Sequence, residues 1–304
     1  MLKKTRLPMI ILFLAPAVLL YILIFLYPTI KTILMSFFKM DSISAKMSEW
    51  SFVGLGNFMN LLNSQVFMQS MKNIFFIWLI GGIIIFFFAI LFAVILTSGV
   101  KFKSFYRSVI YLPNVVSAVA MATMWIHYVY NARYGLLKNV FSFLHLDKLA
   151  EMQWTSPDNV FMALVIAYSF GMVGYFMLIF IAGIDRIPKD FYEAATIDGA
   201  NAFQQFFQIT LPLLSDIMRT NVVLWTINAV GFFVWSQLFS PLIPEPGTVT
   251  PMVYMYQEVF GANNNVIIDR NVGNGAAVGV VLTLVIVLSS IITNAIFKDK
   301  KLEF

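Results

Sequence analysis

Six apolar runs of membrane length, at about residues 8–30, 73–98, 107–130, 158–184, 218–240 and 276–297, constrain this chain more than any other feature. A hydrocarbon core of about 30 Å takes roughly 20 apolar residues as a helix, and an open strand cannot cross because its edge groups would go unpaired. The runs therefore predict an all-α membrane protein with six transmembrane helices. Composition fits, since 60% of the 304 residues are hydrophobic and only 12% are charged, where an ordinary soluble domain carries about a quarter charged. There is no cysteine, which excludes a disulfide framework, a thiolate metal site and a thiol nucleophile.

The first run follows Lys3, Lys4 and Arg6, as a secretory signal would, and Ala15-Pro16-Ala17 could pass for a cleavage site. Its apolar stretch continues through Leu26, beyond a signal h-region of about 7–15 residues, so an uncleaved first span is expected. With both termini inside, the internal segments hold Lys3, Lys4, Arg6, Lys101, Lys103, Arg107, Arg186, Lys189, Arg219, Lys298, Lys300 and Lys301 in the shorter loops. The remaining lysines and arginines are spread over three longer external loops. That asymmetry predicts an N-in, C-in topology and a multi-pass protein of the inner (cytoplasmic) membrane. It also accounts for the net charge of +5 without nucleic acid. The loop from Pro241 to Gly275 is read as an external connection, and residues 1–304 as a single membrane domain.

The spans carry no Asp, Glu, Lys or Arg away from their ends. Ion-coupled carriers and voltage sensors need such charges for relays and gating, so the pattern argues against them. His127 is the only ionisable candidate, and beside Trp125, Tyr128 and Tyr130 it reads as an interfacial, hydrogen-bonded side chain. No Gly-x-x-x-x-Gly-Lys-Ser/Thr phosphate loop is present, so any ATP used must be hydrolysed elsewhere. No catalytic residue or metal site is expected.

The most informative polar stretch lies in the internal loop at about 185–217. It reads Glu193-Ala194-Ala195-Thr196-Ile197-Asp198-Gly199-Ala200-Asn201-Ala202-Phe203 and continues to Ile209-Thr210-Leu211-Pro212. Pro188 suits a first helical turn, and Asp190 and Glu193 lie toward the end that favours negative charge. Ala194 and Ala195 keep the helix thin, Gly199 permits a turn, and Phe203, Phe206 and Phe207 offer an apolar face. Pro212 ends the run. Two readings follow: a thin acidic helix that inserts into a groove on a partner protein, or an amphipathic helix lying on lipid.

The spacing Glu-Ala-Ala, three residues, Gly, nine residues, Ile, one residue, Leu-Pro resembles the EAA loop of permeases of ATP-binding-cassette importers. Glu193, Ala194, Ala195, Gly199, Ile209, Leu211 and Pro212 fit it without a gap. Ser215 departs from it, where many carbohydrate permeases have proline. Phe52-Val53-Gly54-Leu55-Gly56-Asn57-Phe58, Tyr111-Leu112-Pro113 and Tyr134-Gly135-Leu136-Leu137 resemble stretches of the maltose and glycerol-phosphate permease branch. The resemblance implies a type I importer-permease fold of the maltose-permease kind. It implies that Glu193, Ala194, Ala195, Asp198 and Gly199 couple to an ATPase dimer, which binds ATP and magnesium, with Glu193 pairing with a basic group there. A second permease subunit, an extracytoplasmic solute-binding protein and a carbohydrate substrate are implied with it.

Sugars are held by hydrogen bonds and by stacking on aromatic rings. Tyr168, Met172 and Tyr175 share one helical face of the fourth span, and Trp225, Ala229 and Phe232 one of the fifth, with Asn228 and Trp235 adjoining. By resemblance these faces line the sugar pocket. Tyr168 and Ala229 stand where the maltose branch has asparagines, a departure that bears on whether the solute is maltose. The alternative for each aromatic is helix packing or an interfacial belt. Gly275 and Gly279 read as a helix-packing pair. Two other functions compete: the same machine carrying a non-sugar solute, and an autonomous secondary carrier. An anion permease would show buried Arg or Lys, and a carrier intramembrane charge or inverted repeats.

Overall fold

The computed structural model describes residues 6–240, 246–261 and 270–297. The fold is mainly helical, with one two-stranded antiparallel sheet among the described residues. Among the described residues, four helices are long and apolar enough to cross a membrane: α1 (Met9–Met35), α3 (Gln65–Thr97), α7 (Val160–Ile184) and α13 (Val272–Ile296). α4 (Lys103–Val115) and α5 (Ala118–Val129), bent by 96°, make a fifth crossing if counted as one span, and the short α6 (Leu136–Phe143) follows. The chain divides into two compact units, residues 1–68 with 254–283 and residues 69–253 with 284–304.

In the first unit, α1 exposes apolar side chains on every face, with Leu12 72% and Phe13 76% exposed. In a soluble protein such a helix would be untenable; in lipid it is ordinary. β1 (Phe38–Lys39) pairs with β2 (Ser51–Phe52), and α2 (Gly56–Asn63) follows. Asn57 holds this corner together. Its buried amide donates to the Ser36 carbonyl at 2.8 Å and the Phe38 carbonyl at 2.9 Å, and its oxygen accepts from Asn271 Nδ2 at 3.1 Å. Gly273 lies so close that a Cβ there would collide with the Phe38 carbonyl. The Phe52–Phe58 stretch thus has a local structural explanation, including Gly54 at φ +56°.

In the second unit α7 is central and buried over most of its length. Ile85, Ala89 and Ala93 of α3 are fully buried, and Phe86 meets Phe176 edge-on at 5.3 Å. Small residues let backbones approach, as membrane helices require. A Cβ on Gly174 would lie 2.6 Å from the Tyr111 Cα of α4, and one on Gly183 would lie 2.8 Å from both Leu214 and Ile217.

Two expected spans are interrupted. The run at 107–130 breaks at Val116, whose ψ of 138° is extended, and Ser117 caps α5 by accepting from the Ala120 N–H at 3.3 Å. Pro113, which lacks an N–H, precedes the break. The run at 218–240 is α10 (Ser215–Val230), then Gly231–Phe233, then the short α11 (Val234–Phe239). Non-helical backbone at membrane depth must be paired within protein, and Thr250 Oγ1 donates to the Phe232 carbonyl at 2.7 Å. Asn73 likewise donates to the Pro246 and Val249 carbonyls at 2.7 and 2.9 Å. The segment read as an external connection therefore turns back into the protein at 246–250 and continues as α12 (Pro251–Phe260). Residues 241–245 and 262–269 of it lie outside the described residues.

Candidate functional site

The loop at 185–217 folds as two short helices on a tight turn, α8 (Lys189–Ile197) and α9 (Ala202–Gln205). Pro188 stands just before α8, at its N-cap, and Asp190 lies in the first turn. The helix stops because Gly199 adopts φ +81°, a left-handed conformation that disfavours any side chain. The Ala200 N–H then bonds the Ala195 carbonyl at 2.8 Å, and the Gly199 N–H the Thr196 carbonyl at 3.1 Å. This is the turn that satisfies a helix's last carbonyls. Asn201 and Gln204 form a reciprocal cap on α9, at 2.8 and 2.9 Å.

Side chains lock the two helices together. Gln205 Nε2 donates to Thr196 Oγ1 at 3.0 Å and to the Ala200 carbonyl at 3.2 Å, and the Tyr192 hydroxyl meets Thr210 Oγ1 at 2.9 Å. Helical turns run on through Leu213, and the fully buried Leu214 seats this end against Gly183 of α7. The loop is therefore fixed to the base of α7 and α10.

Most of α8 is exposed, Lys189, Phe191 and Thr196 included, and one ridge of that surface carries its acids and the small Ala194. Asp190, Glu193, Ala194 and Ile197 are all exposed and follow i, i+3, i+4, i+7 spacing. Ile197 is 87% exposed. Ala195 is half-buried, and Asp198 and Gly199 are exposed at the turn. A Cβ on Gly199 would meet nothing within 4 Å, so glycine is required there by backbone conformation and not by crowding. Beyond the turn, Phe203 is 71% exposed, with its ring 4.5 Å from that of Phe207. Ile197, an isolated β-branched apolar residue on the acidic face of a short helix, is not among the residues that the resemblance assigns to coupling.

The aromatic candidates for a solute pathway separate into two groups. Tyr168, Trp225, Ala229 and Phe232 are buried within the chain. The Tyr168 ring lies 4.6 Å from Phe232, 5.6 Å from Trp235 and 5.9 Å from Trp225. Trp225 packs on Gly81 and Gly82, where a Cβ would come within 3.2 and 2.7 Å of its indole. These four make a packing cluster joining α3, α7, α10 and α11. Met172, Tyr175 and Asn228 remain half-buried. Asn114 of α4 joins them, donating to the Gly171 carbonyl at 3.3 Å and lying 3.6 Å from the Met172 sulfur. Asn228 spends its amide on the Leu224 carbonyl at 2.8 Å. His127 is exposed on α5. Among the described residues no group of three or more His, Cys, Asp or Glu could hold a metal ion.

The chain matches the family described as binding-protein-dependent transport system inner membrane component over residues 85–301. It is 31% identical to the arabinooligosaccharides transport system permease protein AraP of Halalkalibacterium halodurans, over 91% of this chain and 84% of that one. It is 29% identical to the diacetylchitobiose uptake system permease protein NgcF of Streptomyces coelicolor, over 78% of this chain and 68% of that one. Among solved structures it superposes with a TM-score of 0.78 on a chain of a bacterial ABC transporter that imports the acidic polysaccharide alginate. The two are 19% identical, and the match covers 97% of this chain and 96% of that one.

Proposed function

The chain belongs to the family of binding-protein-dependent transport system inner membrane components, and from that premise we propose that it forms half of the membrane pathway for a carbohydrate, driven by a separate ATPase docked on the α8 ridge. It is a permease subunit, not an enzyme. Counting α4 with α5 and α10 with α11 as one crossing each would give six, and the lysine and arginine asymmetry supports a topology with both termini in the cytoplasm. The second half of the pathway is another permease subunit. A dimer of ATPases binds ATP and magnesium, and a solute-binding protein delivers the sugar from outside.

The observation that carries this reading is the exposed ridge Asp190, Glu193, Ala194, Ile197, ended by the Gly199 turn. An acid and a large apolar knob flanking a small residue suit a groove that is basic at one point and apolar at another. The amphipathic-helix-on-lipid reading fits less well, because that face carries two carboxylates and anionic lipid would repel them. Motion of a docked ATPase would pass through Tyr192–Thr210 and Leu214 into α10. On the pathway side, Asn114, Met172, Tyr175 and Asn228 supply the polar and aromatic contacts a sugar needs. The buried Tyr168, Trp225, Ala229 and Phe232 hold those helices in place.

The test is to purify the chain with its co-expressed transport operon in mild detergent and assay ATP hydrolysis against a panel of sugar-loaded binding proteins. Recovery of a P-loop ATPase and a second permease, with stimulation by one loaded binding protein, supports the reading and names the sugar. A chain that purifies alone and moves solute without ATP contradicts it.

A further inference from the structure

The turn from α3 to α4 reads Gly99-Val100-Lys101-Phe102-Lys103-Ser104-Phe105-Tyr106, and every residue from Lys101 to Tyr106 is exposed. Its level is set by Thr97 and Ser98, which line one cleft with Asp185, Lys189 and Tyr192 at the foot of α7. The turn therefore lies at the same end of the bundle as the α8 ridge. Phe102 is 79% exposed and holds φ +59°, a left-handed conformation that a bulky side chain resists. A ring so exposed gains little packing within the chain to offset that strain. No acidic residue stands between Glu49 and Asp147 in the sequence, and among the described residues neither Lys101 nor Lys103 forms an ion pair. Phe105, Val109, Leu112 and Val116 are exposed at i, i+4, i+7 and i+11, an apolar stripe that runs from this turn along α4. The half-buried Arg107 lies on the opposite side of α4 from that stripe.

We propose that this turn binds an anionic phospholipid in the leaflet on the α8 side. The phosphate is held by the Lys101 and Lys103 ammonium groups, the Phe102 ring enters the headgroup boundary beside it, and an acyl chain lies along the Phe105–Val116 stripe. Cations interleaved with large apolar side chains are what segments that engage anionic bilayers present. A bias of positive charge toward one side of the membrane requires only the lysines; the strained, outward Phe102 is the added observation, and strain of this kind points to a functional contact. The stripe distinguishes lipid from other anions, because a soluble anion or an acidic protein surface has no use for apolar side chains set along a membrane helix. The α8 ridge at the same end is acidic, so lipid and ATPase are drawn to different surfaces. Thr97 and Ser98 share their cleft with Tyr192, Gln205 and Thr210, so a lipid held at the turn braces the floor beneath the 185–217 loop. The proposal depends on the chain residing in a membrane, not on the identity of its solute.

The chain has no cysteine, so Ser104→Cys, at an exposed position of the turn, takes a single environment-sensitive fluorophore. The labelled full chain is placed in nanodiscs of dioleoylphosphatidylcholine containing increasing fractions of dioleoylphosphatidylglycerol. A fluorescence change that saturates at a low phosphatidylglycerol fraction is expected. Lys101→Gln and Lys103→Gln should each weaken the apparent affinity about fivefold, whereas Lys148→Gln, an exposed lysine elsewhere, should leave it unchanged. Phe102→Gly should weaken it too while leaving the protein in phosphatidylcholine at least as stable, because glycine takes the left-handed conformation without strain. That variant keeps the test decisive should the lysine variants fold poorly. A response that only rises linearly with phosphatidylglycerol, or unchanged affinity in the doubly substituted lysine variant, would overturn the proposal. So would the same response to free glycerol 3-phosphate, which would assign the turn to a soluble anion. Loss of ATPase co-purification in the lysine variants with the lipid response intact would assign it to the ATPase instead.

Discussion

Trp225 donates its indole N–H to the Trp78 carbonyl at 2.8 Å, and Trp78 returns its own indole N–H to Thr226 Oγ1 at 2.9 Å. The exchange ties α10 to α3 at the widened turn Ile77–Gly81, where such turns are associated with inserted side chains. Thr226 passes the network on to Ser289 Oγ at 3.1 Å. A residue that the sequence offers as a sugar-stacking ring is thereby a fixed strut, and its expected behaviour under mutation changes accordingly.

Trp225→Phe keeps a ring but removes the indole donor to the Trp78 carbonyl, which retains the Gly82 N–H. The expected cost is about 0.5–1.5 kcal/mol of stability for the hydrogen bond, read as a lower melting temperature in detergent, with the sugar preference of the assembled transporter unaltered. Gly82→Val should be at least as damaging, since a Cβ there would lie 2.7 Å from the Trp225 nitrogen and overpacking costs about 1–3 kcal/mol. A changed sugar preference in Trp225→Phe at normal stability would return this residue to the pathway.

Asn228→Ala and Asn114→Ala are expected to act oppositely to Trp225→Phe. Both side chains are half-buried, so the folded protein should lose little stability, while uptake of the sugar weakens about tenfold if one hydrogen bond to it is lost in a buried site. Transport assays of the two variants beside their melting temperatures make the check.

Glu193→Ala and Ile197→Ser change exposed side chains, so stability should move by no more than about 0.5 kcal/mol. Sugar uptake should nevertheless collapse, and the ATPase should fail to co-purify with the doubly substituted chain.

At Gly199 the φ of +81° separates conformation from space. Gly199→Asn should be tolerated better than Gly199→Val, because asparagine visits the left-handed region and a β-branched residue resists it. Uptake measured for the pair should rank glycine, then asparagine, then valine. Equal loss in both would mean that the partner's groove, not the turn, demands glycine.

Much of this architecture is legible in the sequence, and its omissions have physical causes. Apolar length locates α1, α3, α7 and α13 because membrane crossing is a one-dimensional requirement on hydropathy. It does not locate the breaks at Val116 and Gly231–Phe233, because both sit in apolar sequence: the first rests on a single local cap by Ser117, and the second on Thr250, 18 positions from Phe232. The turn at Gly199 could be read from glycine and the Asn201–Gln204 cap, which are local. Helical spacing does put Tyr168 near Met172 and Trp225 near Phe232, but spacing along one helix does not say which neighbour covers it. Gly81 and Gly82, on a different helix, bury Trp225. The buried asparagines show the same limit: Asn57 serves three partners, one of them Asn271, more than 200 positions away in sequence.

The central claim is that the α8 ridge is where the ATPase docks, and the chain's lack of cysteine makes it directly testable. A single Ile197→Cys substitution, paired with cysteines placed along the surface groove of the co-expressed ATPase, can be oxidised in native membranes and scored for the cross-linked species. The account predicts an efficient cross-link from position 197, altered by ATP, and none from similarly exposed controls away from the loop, such as Phe143→Cys, 83% exposed against 87% at Ile197. Efficient cross-linking from the controls with none from position 197 would contradict it.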